Sequence, residues 1–181
     1  IENNRLNGKG TINYTETLGT EPVKSIYEGF FKNDQLHGEN CKYSNEYIEI
    51  TGKFYNGYIR SGKITINKFN NNLMDNKYIR IKSIKGNFGN KHEKQLSHTT
   101  YVEFYKLNGY GVIDYMFKRE SGTFLNGLLN GQGIRKNKCL NLVHEGIFKK
   151  GKLNGKGNIT RNDYTIYSLF TKGKINNKYT L

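Results

Sequence analysis

A segment that recurs along the chain constrains its fold more than any other feature. Clear copies are YEGFFKNDQLHGENCKY at 27–43, ITGKFYNGYIRSGKITI at 50–66, ESGTFLNGLLNGQGIR at 120–135 and HEGIFKKGKLNGKGNI at 144–159. The central phenylalanine recurs at positions 31, 54, 88, 124, 148 and 170. Most of these steps are about 22–24 residues, which is too short for two helices and suits two short strands with their turns. The chain is therefore predicted to be a β-repeat protein.

Each copy has the pattern of a β-hairpin. In the first strand Tyr27, Gly29 and Phe31 point to one side and Glu28, Phe30 and Lys32 to the other, as the alternation of a β-strand requires. The turns are predicted at Asn33-Asp34, Asn56-Gly57, Asn126-Gly127, Lys150-Gly151 and Lys172-Gly173, where Asn and Gly tolerate positive φ. The second strand begins with Gly-x-Gly, and we expect the missing side chains to leave slots for neighbouring Tyr or Phe rings.

A hairpin this small cannot bury its own aromatic residues, so successive hairpins have to stack. The predicted fold class is all-β: an elongated, single-layer, twisted antiparallel sheet of stacked β-hairpin repeats. We expect one repeat domain over residues 1–181 with about seven hairpins, the first incomplete, and insertions near 67–80 and 89–105. Only 35% of the residues are hydrophobic, which agrees with a sheet that has little interior.

The repeat resembles the MORN (membrane occupation and recognition nexus) family, whose pattern is roughly Y-x-G-x-F-x-N-G-x-x-x-G-x-G. The copies at 27 and 144 match it well. The first position is Tyr only at 27 and is otherwise Ile50, Ile84, Glu120, His144 or Ile166. In the copy at 50, Ile64 stands where the second glycine is expected, and the last copy has Ser168, Asn176 and Asn177 in place of glycines.

The resemblance implies a rod-like sheet that acts as a scaffold or adaptor and docks helices or peptides in its aromatic groove. It also implies a place in cytoskeletal, ciliary or membrane-associated assemblies, and phosphoinositide binding. The leading hypothesis is accordingly a protein-binding scaffold without enzymatic activity. We expect it in the cytoplasm, associated with the cytoskeleton or with a membrane.

A row of aromatic side chains forms the predicted core and the candidate partner-binding face. An open sheet leaves part of such a face uncovered, and uncovered apolar strips mark binding sites. The reverse face also carries apolar residues at Phe30, Tyr55, Leu125, Ile147 and Leu169, so we expect a partner to cover one of the two faces. The candidate aromatic face comprises Tyr27, Phe31, Phe54, Phe88, Phe124, Phe148 and Phe170.

The net charge of +14 favours acidic partners. The alternative function is therefore a peripheral membrane module that binds acidic phospholipids, such as phosphoinositides, through its basic turns. A biased codon composition that enriches Lys, Asn, Ile and Tyr together explains the charge equally well. The sequence does not favour nucleic acid, since no single-strand binding motif is present, while exposed edge strands allow homo-oligomers. The candidate lipid-binding lysines are Lys136, Lys138, Lys149, Lys150, Lys152 and Lys156.

No motif in the sequence indicates catalysis, a cofactor or a metal. GKLNGKG at 151–157 lacks the spacing of a phosphate-binding loop, and the repeat explains its glycines. His37 occupies the repeat position held elsewhere by Asn7, Asn108, Asn130 and Asn154. His92 and His98 have no accompanying ligand cluster, and Cys41 and Cys139 form no CxxC motif. We therefore expect no catalytic residues, no metal and no cofactor.

Overall fold

The computed structural model describes residues 5–18, 21–67, 81–89 and 106–176. These residues form fourteen strands and no helix. The strands fall into two compact units, β1–β6 and β7–β14, which we describe separately. The predicted insertions at 67–80 and 89–105 lie almost entirely outside the described residues. The prediction of one repeat domain over residues 1–181 therefore stays a prediction.

The first unit is an antiparallel sheet in which the chain order is also the spatial order. Its strands are β1 (Gly8–Leu18), β2 (Glu21–Lys32), β3 (Gln35–Leu36), β4 (Gly38–Ser44), β5 (Ile48–Tyr55) and β6 (Tyr58–Ile66). The order is β1-β2-β4-β5-β6, and the short β3 pairs with the end of β2. Strands β3 and β4 together are the second strand of one hairpin.

The second unit repeats the same plan. Its strands are β7 (Ile81–Phe88), β8 (Leu107–Tyr115), β9 (Lys118–Leu125), β10 (Leu128–Asn137), β11 (Leu142–Lys149), β12 (Lys152–Arg161), β13 (Tyr164–Thr171) and β14 (Lys174–Ile175). Each strand pairs antiparallel with the next one in the chain. The all-β prediction, with an open antiparallel sheet of hairpin repeats, is confirmed.

All five predicted turns are present, and both central residues of each have positive φ. In the turn at 126–127, for example, φ is 51° at Asn126 and 77° at Gly127. Two consecutive positive φ values define the type I′ turn, whose twist matches that of the flanking strands. This is why Asn and Gly recur there.

A Leu-Asn-Gly triplet at the start of most second strands holds the turn of the next hairpin, whereas the hairpin at 50–66 has Ile59-Arg60-Ser61 at this position. The Lys150 amide donates to the Asn130 side-chain oxygen (3.3 Å), and the Gly151 amide donates to the Leu129 carbonyl (2.8 Å). The turns at 33–34, 126–127 and 172–173 make the same two bonds. At His37 the ring Nδ1 replaces the Asn oxygen and accepts from the Asn56 amide (3.5 Å). The interpretation of His37 as a repeat position is thereby confirmed.

Glycines face each other across the strands of the second unit in a continuous row. Gly86, Gly111, Gly122, Gly133, Gly146 and Gly157 are paired in that order, and Ser168 ends the row. A Cβ added at Gly122 would collide with the Gln132 carbonyl oxygen and the Gly133 Cα. The row therefore allows a backbone approach that no side chain permits.

The glycine slots hold leucines more often than the rings that the sequence predicts, although a Cβ added at Gly10 would lie 4.0 Å from the ring carbon Cδ2 of Phe31. A Cβ at Gly133 would lie 2.9 Å from Leu129 Cδ2, so on this face a leucine fills the space. On the opposite face, the Phe30 side chain is next to Gly38. A Cβ added at Gly38 would lie 3.8 Å from the Phe30 Cβ. Ile147 takes the equivalent place at Gly155.

The interpretation of Ile64 as a replacement for the second glycine is wrong. Gly62 pairs with Gly52, and Ile64 pairs with Ile50. Ile59 occupies the position of the leucine in the later hairpins. Only two residues separate Ile59 from Gly62, whereas three separate Leu129 from Gly133, so an alignment by sequence spacing places the glycine in the wrong register.

Candidate functional site

The candidate aromatic face is the core of each unit. The six phenylalanines of the row, Phe31, Phe54, Phe88, Phe124, Phe148 and Phe170, are between 1% and 7% exposed. Tyr27 is half-buried, and its ring lies 4.7 Å from that of Tyr43. We call the side of each sheet that carries this row the inner face. Its rings are covered by the protein itself, so they shape a binding surface only indirectly.

The opposite side, which we call the outer face, carries exposed apolar side chains. In the first unit they include Phe30 and Tyr55, each about half exposed. The centre of the His37 ring lies 4.9 Å from that of the Tyr55 ring, and the Arg60 guanidinium carbon lies 5.3 Å from the centre of the Tyr55 ring. In the second unit the largest are Tyr110, Leu125, Leu128, Ile147 and Tyr167.

Leu125 and Leu128 are the most concentrated apolar feature of the outer face in the second unit. They face each other directly across the strands on either side of the turn at 126–127, and are 53% and 51% exposed. Ile147, which is 44% exposed, lies on the outer face of β11, two strands beyond Leu125 on β9. Apolar side chains that adjoin one another on a surface, as Leu125 and Leu128 do, can mark an interaction site.

The inner face of the second unit holds an ionic cluster that sequence reasoning missed. Glu120, Arg135 and His144 occupy adjacent positions on β9, β10 and β11; we call them the polar row. Glu120 is only 3% exposed. Its carboxylate accepts from Arg135 Nε (2.6 Å), Lys118 Nζ (3.3 Å) and the Tyr115 hydroxyl (3.2 Å).

Arg135, His144 and Tyr115 are each affected by burial or by a neighbouring charge in this cluster. Arg135 also donates to the Gly151 carbonyl (2.7 Å), and its guanidinium lies 5.5 Å from the centre of the Phe148 ring. Burial, together with the nearby Arg135 charge, lowers the pKa of His144. Burial and the adjacent Glu120 carboxylate raise the pKa of the Tyr115 hydroxyl. The row is thus internally paired, with a buried acid satisfied by two cations and a hydroxyl.

The sequence does contain a signal for this row. Along the same line of the sheet, the neighbouring strands carry Ile84, Ile113, Ile159 and Ile166. When Arg135 of the second strand is considered together with Glu120 and His144 of the first strands, three neighbouring polar residues interrupt a row that is otherwise aliphatic. At the first-strand position alone, Glu120 and His144 are isolated departures from the repeat.

The six candidate lysines do not form one patch. Lys149, Lys150 and Lys152 lie together at one hairpin turn, and Lys156 lies on the outer face of β12, next to Leu169. Lys136 and Lys138 lie at the other end of the strands, where Lys138 pairs with Asp114 (2.7 Å).

No metal-binding cluster occurs in the part of the chain that the structure describes. Within it, no three His, Cys, Asp or Glu side chains come together as a metal site requires. The described residues also contain no helix that is long and apolar enough to cross a membrane. Cys41 is buried, with its thiol near the Phe30 and Gly38 carbonyls, and Cys139 is exposed.

Comparison with known families gives one match. The family model for the MORN repeat matches residues 27–39, 121–136 and 144–166, so the resemblance read from the sequence is confirmed at these three stretches. MORN repeats are a non-enzymatic repeat family and occur in scaffold or membrane-associated proteins. A comparison with curated proteins found no match.

Proposed function

We propose, from the MORN repeats at these three stretches, that this protein is a non-enzymatic scaffold that binds a protein partner through an exposed sheet face. The partner belongs to a larger cytoskeletal, ciliary or membrane-associated assembly. The chain supplies a rigid surface and performs no chemistry of its own.

The observation that supports this proposal is the exposed apolar surface on the outer face. The inner face already has a core, because its row of phenylalanines and leucines such as Leu107, Leu129 and Leu153 are buried within the protein. Leu125, Leu128 and Ile147 have no such role, and each full burial of a leucine-sized side chain contributes about 1.5–3 kcal/mol. Because these side chains are already about half covered, a partner that covers the rest gains about half of this free energy for each of them without disturbing the fold.

Affinity capture with paired variants tests the proposal. Immobilised wild-type protein and L125S/L128S are exposed to extract of the cells that make the protein, and bound proteins are quantified by mass spectrometry. We expect the double variant to lose a defined set of partners. Y164S is the control variant, because Tyr164 is also an exposed apolar side chain (82%) and lies at the far end of the second unit's strands.

Circular dichroism must show that the double variant remains folded. If folded L125S/L128S retains every partner at wild-type levels, the outer face is not the binding surface and the proposal fails.

A second candidate function, a peripheral membrane module, is favoured by the grouping of Lys149, Lys150 and Lys152 at one turn. Each lysine near an anionic bilayer contributes about 1 kcal/mol of attraction. Flotation with vesicles of phosphatidylcholine and phosphatidylserine should then fade with salt and disappear in K149E/K150E/K152E. Flotation that is unchanged by both treatments excludes this candidate.

A further inference from the structure

We propose that the hairpin-turn end of the outer face in the second unit binds an acidic amphipathic helix of a partner protein. This inference rests on the proposed scaffold function and specifies its partner. It follows from three equivalent side chains, Lys106, Leu128 and Lys152, which we call the turn file.

The three residues of the turn file occupy the same position in successive hairpins. Each directly precedes the leucine of a docking triplet and lies against the glycine of the next turn. A Cβ at Gly127 would lie 3.4 Å from Lys106 Cγ, one at Gly151 would lie 3.6 Å from Leu128 Cδ2, and one at Gly173 would lie 3.7 Å from Lys152 Cβ. The file therefore alternates basic, apolar and basic along the sheet.

The spacing of the file follows from the sheet. Successive hairpins are two strands apart, and strands are about 4.8 Å apart, so the file has a step of about 10 Å. Seven residues of an α-helix rise about 10.5 Å and return to nearly the same side. A helix that lies across the hairpins with an acidic, an apolar and an acidic residue at heptad spacing matches all three positions.

The positive charge of this surface favours a partner with a negatively charged surface. Residues 106–176 contain thirteen Lys or Arg and four Asp or Glu. The turn segments 106–108, 125–129, 149–152 and 171–175 contain six lysines and no carboxylate. A second copy of this chain would bring its own net charge of +14 to the same surface, so self-association through it is opposed by repulsion.

The apolar contact at the centre of the file is wider than one residue. Leu125 lies directly opposite Leu128, so the two side chains form a ridge next to the turn. An acidic helix with one leucine over this ridge and glutamates over Lys106 and Lys152 pairs every exposed group of the file. Electrostatic complementarity of this kind fixes the register and raises the association rate more than it raises the affinity.

A designed peptide tests this inference by fluorescence anisotropy. The probe is a labelled helical peptide of three heptads that carries glutamate, leucine and glutamate at one heptad position, on a background of alanine and glutamine. We expect saturable binding to the full chain that weakens with salt. Binding should fall more than about tenfold, which is about 1.4 kcal/mol, in both K106E/K152E and L128S.

Two controls separate this site from general charge attraction. K9E/K63E makes the same change of net charge on exposed lysines of the first unit and should leave binding unchanged. A peptide of identical composition, with its glutamates moved to the opposite side of the helix, should bind more than about tenfold more weakly.

Three outcomes would overturn the inference: equal affinity for the rearranged peptide, equal loss in both charge-reversal variants, or no detectable binding of the designed peptide. Flotation with phosphatidylserine vesicles that depends on Lys106 and Lys152, with no peptide binding, would assign the surface to lipid instead. In each of these cases the scaffold proposal still stands if partner capture depends on Leu125 and Leu128, and it fails separately if capture does not.

Discussion

At the scale of single residues, consecutive side chains on one strand differ sharply in their exposure to solvent. Phe124 is 2% exposed, whereas Leu125, the next residue, is 53% exposed. Strand alternation alone produces this contrast. It separates residues that hold the fold from residues that are available for binding, and stability measurements can verify the separation.

Phe124→Ala should lower the free energy of unfolding by about 3–5 kcal/mol, because it removes a buried ring and leaves a cavity. Leu125→Ala should change it by no more than about 0.5 kcal/mol, as exposed positions do. Urea denaturation followed by circular dichroism measures both. Similar losses in the two variants would show that the outer face is also packed.

His144 should make the protein less stable as the pH falls. Its pKa in the folded protein is lowered from the ordinary value of 6.5, so the unfolded chain takes up a proton first as the pH drops through that value. The contribution of neutral His144 to stability is therefore fully present above about pH 6.5 and decreases as the pH falls below that value.

His144→Ile, which restores the aliphatic residue of the neighbouring repeats, should remove this loss. The difference in unfolding free energy between His144→Ile and wild type should grow between about pH 7 and pH 5. A constant difference across that range would contradict the assignment.

At the scale of elements, four hairpins are held to the next by a Leu-Asn-Gly triplet, at 6–8, 107–109, 129–131 and 153–155. The triplet orders the following turn with one backbone and one side-chain hydrogen bond, so a local motif transmits register along the sheet. His37 shows that a different acceptor can take the place of the Asn oxygen, provided that it reaches the turn amide.

Asn130→Ala should cost about 0.5–1.5 kcal/mol, the net value of a typical hydrogen bond, and should speed hydrogen exchange at the Lys150 amide. His37→Asn restores the usual residue and should change stability by no more than about 0.5 kcal/mol. Unchanged exchange at Lys150 in Asn130→Ala would show that the side chain does not order the turn.

Removing one member of the polar row should lower stability, whereas replacing all three members together should not. Glu120→Ala leaves Arg135 without its main partner. We expect a loss toward the lower end of about 3–5 kcal/mol, because the Arg135 side chain is 28% exposed.

Replacing Glu120, Arg135 and His144 together by isoleucine continues the aliphatic row and should be neutral or stabilising by up to about 4 kcal/mol. Thermal unfolding of both variants measures this contrast. A triple variant as unstable as Glu120→Ala would show that the row is required for the fold itself.

At the scale of the whole molecule, the sequence predicts the fold better than the site. Spacing and turn chemistry are local, so the hairpins, the type I′ turns and the equivalence of His37 with Asn130 follow directly from it. The register around Ile64 does not, because a one-residue deletion is visible only in the strand pairing. Nor do the polar row and the turn file, since each consists of residues on separate hairpins that meet only when the hairpins stack.

The aromatic row is the core, as the sequence predicts, and the same stacking explains why its rings are not also exposed to a partner. Alternation assigns Phe31 and Phe30 to opposite sides of a strand, but it cannot say which side the neighbouring hairpins cover. The glycine row decides this, because it lets the backbones approach and the leucines of the inner face close over the rings. The exposed surface is therefore left to the outer face.

Photo-crosslinking tests most directly the claim that a partner covers the outer face. A benzophenone amino acid is placed at position 125 on the outer face or at position 166, an exposed site on the inner face, and irradiated in extract of the producing cells. We predict a discrete crosslinked partner from position 125 and none from position 166. Crosslinking from position 166 alone would contradict the account.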